Sequence, residues 1–341
     1  MTNTHDFNHT VASYFARAHL AAGVRIGLDE SELLQFAAIS PKLLNQPASR
    51  LAPKQLARLM VKIMQQADDE FLGLTRQPAR FGLFILLAER LILSNNLRDA
   101  MLETKRFYDL VSPALSFEIQ EQGDEVSITI KLTDPELDPD NTLIEFLLLV
   151  WHRFPSWLIG QVIPMKKVQF MHAPPGHVEE YRLLYPSARE FHQPRYALVW
   201  PREVLDLPIH RNADQLRRYI SQVPLQWFRK PRFADFQTER VMQILEQSSN
   251  PHLTTLEDVA EQLHMTSRTL RRKLTAEGSR FQQMKDDLRR DQAIYWLSQD
   301  NVSINEAGER VGYTETASFI RAFKSWTGMS PGQYKKGLHE R

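Results

Sequence analysis

A repeat in the last third of the chain constrains its fold more than any other feature. LEDVAEQLHMT at 256–266 and INEAGERVGYT at 304–314 keep the same apolar spacing. Leu256, Val259, Ala260, Leu263 and Thr266 align with Ile304, Ala307, Gly308, Val311 and Thr314. Beyond a short turn the match continues one residue out of step. Leu270, Arg272 and Leu274 then pair with Phe319, Arg321 and Phe323. Gly278-Ser279 and Gly328-Met329-Ser330 close the two copies. Repeated apolar spacing, a repeated arginine and a repeated closing glycine are hard to obtain by chance.

Each copy reads as a helix-turn-helix. Thr255 with Asp258, and Ser303 with Glu306, make the same hydroxyl-x-x-acid capping box. The small residues Ala260 and Gly308 stand where two helices of such a motif cross closely. The turns are His264-Met265-Thr266 and Gly312-Tyr313-Thr314, and second helices are predicted over Ser267–Thr275 and Glu315–Trp326. Leu270, Leu274, Phe319, Phe323 and Trp326 face inward. The opposite faces carry Arg268, Thr269, Arg271, Arg272 in the first copy and Thr316, Ala317, Ser318, Arg321 in the second. Phe281, Met284, Leu288, Ala293 and Leu297 predict a long connecting helix.

The chain is near neutral, +1 from 42 basic and 41 acidic residues, which by itself announces no nucleic-acid partner. The average hides a gradient. Residues 239–261 hold one basic and five acidic residues, and 262–290 hold eight basic and three acidic. The first copy is therefore basic, while 300–341 carries six basic against five acidic. Arginine can donate two hydrogen bonds to the O6 and N7 of guanine, Ser and Thr suit base or phosphate, and Ala can touch a thymine methyl. Two such helices on one rigid chain could enter major-groove segments one turn, about 34 Å, apart.

Residues 303–336 resemble the signature of AraC/XylS-type transcription regulators. Gly312-Tyr313, Ser318-Phe319, Arg321-Ala322-Phe323-Lys324, Gly328-Met329-Ser330-Pro331 and Tyr334 carry the match. Ala307-Gly308 replaces a usual Ile-Ala, and Lys335-Lys336 a common arginine. The resemblance implies base-reading positions at Arg268, Arg271 and Arg272 with Thr269 beside them, and at Thr316, Ala317, Ser318 and Arg321. Lys273 and Lys324 fall where phosphate is contacted.

The rest of the chain has a different texture. Helical spacing runs from Val11 to about Leu110. Strands are predicted at Ser116–Gln122, Val126–Leu132, Lys167–His172 and Tyr196–Trp200, with a helix over Thr142–Val150. The expected architecture is mainly α. An α+β domain with a small antiparallel sheet occupies 1–230, a linker 231–235, and an all-α double helix-turn-helix domain 236–341. Residues 26–60 and 168–209 are similar to the N-terminal domain called arabinose-binding in one branch of the same family. That likeness implies a sensor and dimerisation module.

Other chemistries find little purchase. With no cysteine there is no thiolate metal site, disulfide or thiol sensor. His172, His177, Glu180 and His192 include metal-ligand types, but in a Pro174-Pro175-Gly176 loop they read better as surface or capping groups. Tyr185, Ser187 and Arg189 fit a Tyr-x-Ser-x-Arg haem-sensor pattern with too few fixed residues to carry it. No metal or cofactor is expected. The run Phe146–Trp157 reads as core, or as the wall of an effector pocket. No phosphate-binding glycine loop or nucleophile elbow is present, so no enzyme is expected. The two greasiest stretches, Phe81–Ala88 and Leu143–Trp151, fall short of a membrane span of about 20 residues, and the polar start lacks an export signal. The expectation is a cytoplasmic, homodimeric, effector-responsive activator that meets double-stranded promoter DNA and RNA polymerase, with no membrane partner. The alternative is a regulator whose N-terminal domain only dimerises or binds a protein.

Overall fold

The computed structural model describes residues 10–339 except 45, 47–48, 186, 229–236, 249, 277–278 and 300. The expected linker at 231–235 and the repeat's Gly278 lie outside the described residues. The chain divides into two compact units, each discontinuous in sequence. One gathers Phe15–Ala37 and Leu56–Pro231, and the other Met1–Tyr14, Ala38–Gln55 and Arg232–Arg341.

The first unit is built on a five-stranded sheet. Its spatial order is Leu115–Gln122, Glu125–Leu132, Tyr196–Pro201, Lys167–Gln169, Ala188–Glu190. The first two strands form a hairpin across Gly123-Asp124, with Gly123 at φ 61° supplying the left-handed residue such a turn needs. Val126, Ile128, Ile130 and Leu132 alternate onto the buried face, as their period of two requires. The sheet is mixed rather than antiparallel. Ala188–Glu190 runs parallel to Lys167–Gln169, because the chain between them makes a crossover containing two short helical pieces, Val178–Glu180 and Tyr181–Leu184.

Against this sheet lies the helix Thr142–Leu158, buried along nearly its whole length. Its first turn is capped from outside, where the Asp138 carboxylate accepts the Leu143 and Ile144 N–H groups at 3.0 Å. Trp151 packs edge-on to Phe117 at 5.1 Å and to Tyr108 at 6.0 Å, tying the helix to the sheet and to Leu97–Val111. No helix among the described residues is long and apolar enough to cross a membrane.

Among the described residues, the regular structure of the second unit is helical apart from one two-stranded ribbon. Its helices are Gln237–Gln247, Leu256–Gln262, Ser267–Ala276, Phe281–Leu297, Ile304–Arg310, Thr316–Thr327 and Pro331–His339. Val241, Leu245, Val259, Leu270, Leu274 and Leu288 fill one core. Phe319, Phe323 and Tyr334 centre a second, with Phe323 and Tyr334 at 5.4 Å.

The ribbon and a short helix come from the start of the chain, which had been expected to belong wholly to the α+β domain. Val11–Ala12 pairs antiparallel with Arg50–Leu51, and Pro41–Leu44 packs on Pro331–His339. Buried polar groups hold this collar in place. Arg50 donates from Nε to Thr10 Oγ1 at 2.6 Å and from Nη2 to Thr10 O at 2.8 Å. Thr10 Oγ1 donates to Asp291 Oδ1 at 2.7 Å, and Tyr334 Oη to Arg50 O at 2.5 Å. Burying an arginine is costly unless its donors are met, and here the hydroxyl and carbonyl of Thr10 meet two of them.

Candidate nucleic-acid interface

Both capping boxes form. Thr255 Oγ1 accepts from Asp258 N at 3.1 Å and Ser303 Oγ from Glu306 N at 3.2 Å, with each acid returning a bond to the cap's own N–H. The turns that follow are also matched. Met265 N donates to Ala260 O and Tyr313 N to Gly308 O, both at 2.9 Å. Gly308 is there because the helices nearly touch. A Cβ added to it would lie 3.0 Å from the ring of the fully buried Phe319.

These turns launch Ser267–Ala276 and Thr316–Thr327. On the first, Arg268, Arg271, Arg272 and Lys273 are all exposed, and the Arg271 carbonyl accepts the Thr275 hydroxyl at 2.9 Å. Thr269 is half-buried and its hydroxyl meets Thr266 Oγ1 at 2.9 Å, close to the helix start. The second helix is quieter. Arg321, Ala317 and Lys324 are exposed. Arg321 Nη2 donates to Ser318 Oγ at 3.1 Å, and Ser318 Oγ to Glu315 Oε2 at 3.3 Å. Thr316 donates to Asn305 Oδ1. Sequence reasoning missed Glu315, whose carboxylate orients Arg321 through Ser318. Its only signal was an acid three residues ahead of a serine.

The connecting helix Phe281–Leu297 buries Met284 and Leu288 in the first core. Lys285 Nζ donates to the carbonyls of His252 and Thr254 at 2.9 and 2.8 Å, so part of the basic charge of 262–290 is structural.

In the α+β unit, the Phe146–Trp157 run is mostly core, and part of it also lines a cavity. Trp151 and Phe154 are core, while Phe146, Leu147 and Val150 line a cavity of about 220 Å³. Phe84 and Phe146 meet Trp227 edge-on at 5.2 and 5.4 Å. Polar groups on its wall, among the described residues, include Gln65, Glu70 and Tyr108. Glu70 accepts from Gly82 N and Phe84 N, both at 2.8 Å, and burial pushes its pKa up to about 7.

The histidine loop is organised differently. His172 Nε2 lies 3.2 Å from the buried Glu145, which also accepts the Tyr181 hydroxyl. Burial disfavours charge on His172, but the bond to Glu145, the bond to Ala173 O and the charge of Glu145 together outweigh it and carry the pKa upward. Among the described residues no three His, Asp or Glu side chains gather as metal ligands. Tyr185 is fully buried and donates to Glu145 O at 2.6 Å.

Residues 27–209 match the family described as the arabinose-binding domain of AraC transcription regulator, N-term, and 259–337 match a helix-turn-helix domain. The protein is thus a DNA-binding transcription regulator. It belongs to the AraC family. The ornithine utilization regulator of Pseudomonas aeruginosa is 24% identical over 332 residues, covering 94% of this chain and 95% of its own. The HTH-type transcriptional regulator VqsM of the same organism is 38% identical over 80 residues, 24% of this chain and 25% of its own. The solved structure of the transcriptional regulator CdpR, also from P. aeruginosa, covers 94% of this chain and 98% of its own at 19% identity, with a TM-score of 0.32.

Proposed function

We propose that this regulator reads two successive major-groove segments with the helices Ser267–Ala276 and Thr316–Thr327, as an effector-responsive homodimeric activator. The observation that supports this most is the equivalence of the two helix pairs. The same capping box and the same turn bond deliver Arg272 and Arg321 to matched, exposed places on two helices of one folded unit. Residues 236–341, with the collar from the chain's start, make up the reading domain.

In this reading Arg268, Arg271 and Arg272 donate to base edges in the first segment, with Thr269 exchanging its bond to Thr266 for a base or phosphate. In the second, Arg321 reads a base from an orientation set by Ser318 and Glu315, Ala317 offers a methyl contact, and Thr316 and Ser318 supply hydroxyls. Lys273 and Lys324 hold phosphates. The first helix supplies most of the counterion-releasing charge, so the second adds sequence preference more than affinity.

The cavity supports a small-molecule effector over a purely dimerising N-terminal domain. An effector acts only through unequal affinity for two states. The cavity residues Val61, Met64 and Gln65 stand on the helix Pro53–Ala67, which begins two residues after the Arg50–Leu51 strand, so the chain itself links site and collar. Regulators named as activators occur among the relatives, such as the urease operon transcriptional activator of Escherichia coli, which favours activation as the output.

A titration of the full chain onto promoter DNA at several salt concentrations tests the DNA reading. Lys273→Ala and Lys324→Ala should each weaken every sequence alike and reduce the slope of log K against log salt by about 1. A change in sequence preference from either variant, or an unchanged slope, contradicts the phosphate assignment. Repeating the titration with a metabolite extract separates the two N-terminal readings. A shifted affinity supports the effector, and an unshifted one the dimerising domain alone.

A further inference from the structure

The cavity's wall defines what it can hold. Among the described residues, that wall includes one charged group, Glu70, and no Lys, Arg or His. A carboxylate or phosphate ligand would therefore meet another acid and, among the described residues, no counterion. A sugar would meet few hydrogen-bonding partners, since among the described residues the open polar groups of the wall are those of Gln65, Glu70 and Tyr108. The rest of the wall is aromatic and aliphatic. Trp227 already spends its indole N–H on Tyr219 Oη at 2.8 Å, so what it adds to the wall is ring surface. Phe84 and Phe146 pack against that ring at near-perpendicular angles of 90° and 65°, which leaves their faces and edges at different orientations around one space.

Glu70 itself is held rather than loose. Each of its carboxylate oxygens accepts one backbone N–H from the start of the helix Leu83–Leu91. A carboxylate has about four acceptor sites, so about two remain for a ligand. A fixed carboxylate beside aromatic rings is the chemistry that selects an organic cation, through an ion pair at the head and ring attraction around it.

We propose that the cavity binds a small organic cation, an amine on an apolar or aromatic body, with Glu70 as the residue that selects the charge. The proposal rests on the effector reading above. Burial raises Glu70's pKa to about 7, so an incoming ammonium also draws the carboxylate into its ionised form, and binding strengthens as pH rises from 6 to 8.

The test is a calorimetric titration of the full chain with three probes of similar size: phenethylamine, 3-phenylpropionate and ethylbenzene. Phenethylamine should bind roughly tenfold or more tightly than either of the others, as one charge-assisted contact and one ring contact allow. Glu70→Gln should bring the amine to within about threefold of ethylbenzene. Val61→Phe, which adds a ring to the cavity wall, should abolish binding of all three, while retained ethylbenzene binding shows that the Glu70 variant is folded. If 3-phenylpropionate or ethylbenzene binds as well as the amine, the ligand class is wrong and the effector reading stands. If none of the three binds, the organic-cation proposal falls, and the metabolite-extract titration decides the effector reading by itself.

Discussion

His264 and Gly312 occupy the same position in the two turns, and both are left-handed, at φ 54° and φ 89°. Their N–H groups donate to equivalent carbonyls, Glu261 O and Glu309 O, each at 2.9 Å. The repeat is thus preserved in backbone conformation where its residue types differ. A left-handed histidine is uncommon and costs about 1 kcal/mol, whereas glycine takes the conformation freely.

Gly312 has a second reason to be glycine. A Cβ there would lie 2.4 Å from the His252 ring. Gly312→Ala should therefore destabilise the unit by roughly 2 kcal/mol, combining strain and clash. His264→Gly should stay within about 1 kcal/mol of the wild type, since relief of strain offsets the added freedom of the unfolded chain. Urea unfolding of the full chain checks both. Equal effects from the two substitutions would contradict the turn equivalence.

The collar makes a separate prediction. Tyr334→Phe keeps the ring packed against Phe323 but removes the bond to Arg50 O, deep in the unit. The loss should cost about 1–2 kcal/mol in thermal or urea unfolding. No measurable change would mean the collar is not a fixed part of the DNA-binding unit.

Acid should loosen the α+β unit through its buried histidines. His19 is fully buried and its pKa falls to about 4, mainly through burial, against the bond of its Nδ1 to Phe15 O. A histidine depressed in the fold contributes stability that is present above its ordinary pKa of 6.5 and is lost as pH falls toward 4. From pH 7 to 5 the loss from this one group is roughly 2 kcal/mol. His19→Gln, which can still donate to Phe15 O, should flatten that part of the stability profile. His152, lowered to about 3, keeps some acid sensitivity in the variant. A variant with an unaltered profile would show that His19 is not the group responsible.

The reading helices were legible because their signals are local. Capping boxes, small crossing residues and apolar spacing all lie within one turn or two of each other in sequence. The hairpin at Gly123-Asp124 was legible for the same reason. What escaped the sequence was assembled from a distance. Two-residue strands such as Val11–Ala12 have no period to detect, and the bonds joining Thr10, Arg50, Asp291 and Tyr334 span nearly the whole chain. The parallel edge strand Ala188–Glu190 is three residues long. Glu70 caps a helix that starts more than ten residues later, and the rings around it come from four separate segments.

Two equivalent helices of one chain are proposed to read DNA together. Selection of binding sites from random DNA by the full-length protein tests it most directly, using wild type, Arg271→Ala and Arg321→Ala. The wild type should return two sequence elements about 10 base pairs apart within each bound site. Arg271→Ala should relax one base position in one element, and Arg321→Ala one position in the other, each at a cost of about 1–3 kcal/mol. A single element, or both variants returning the wild-type sequence at full preference, would contradict the claim.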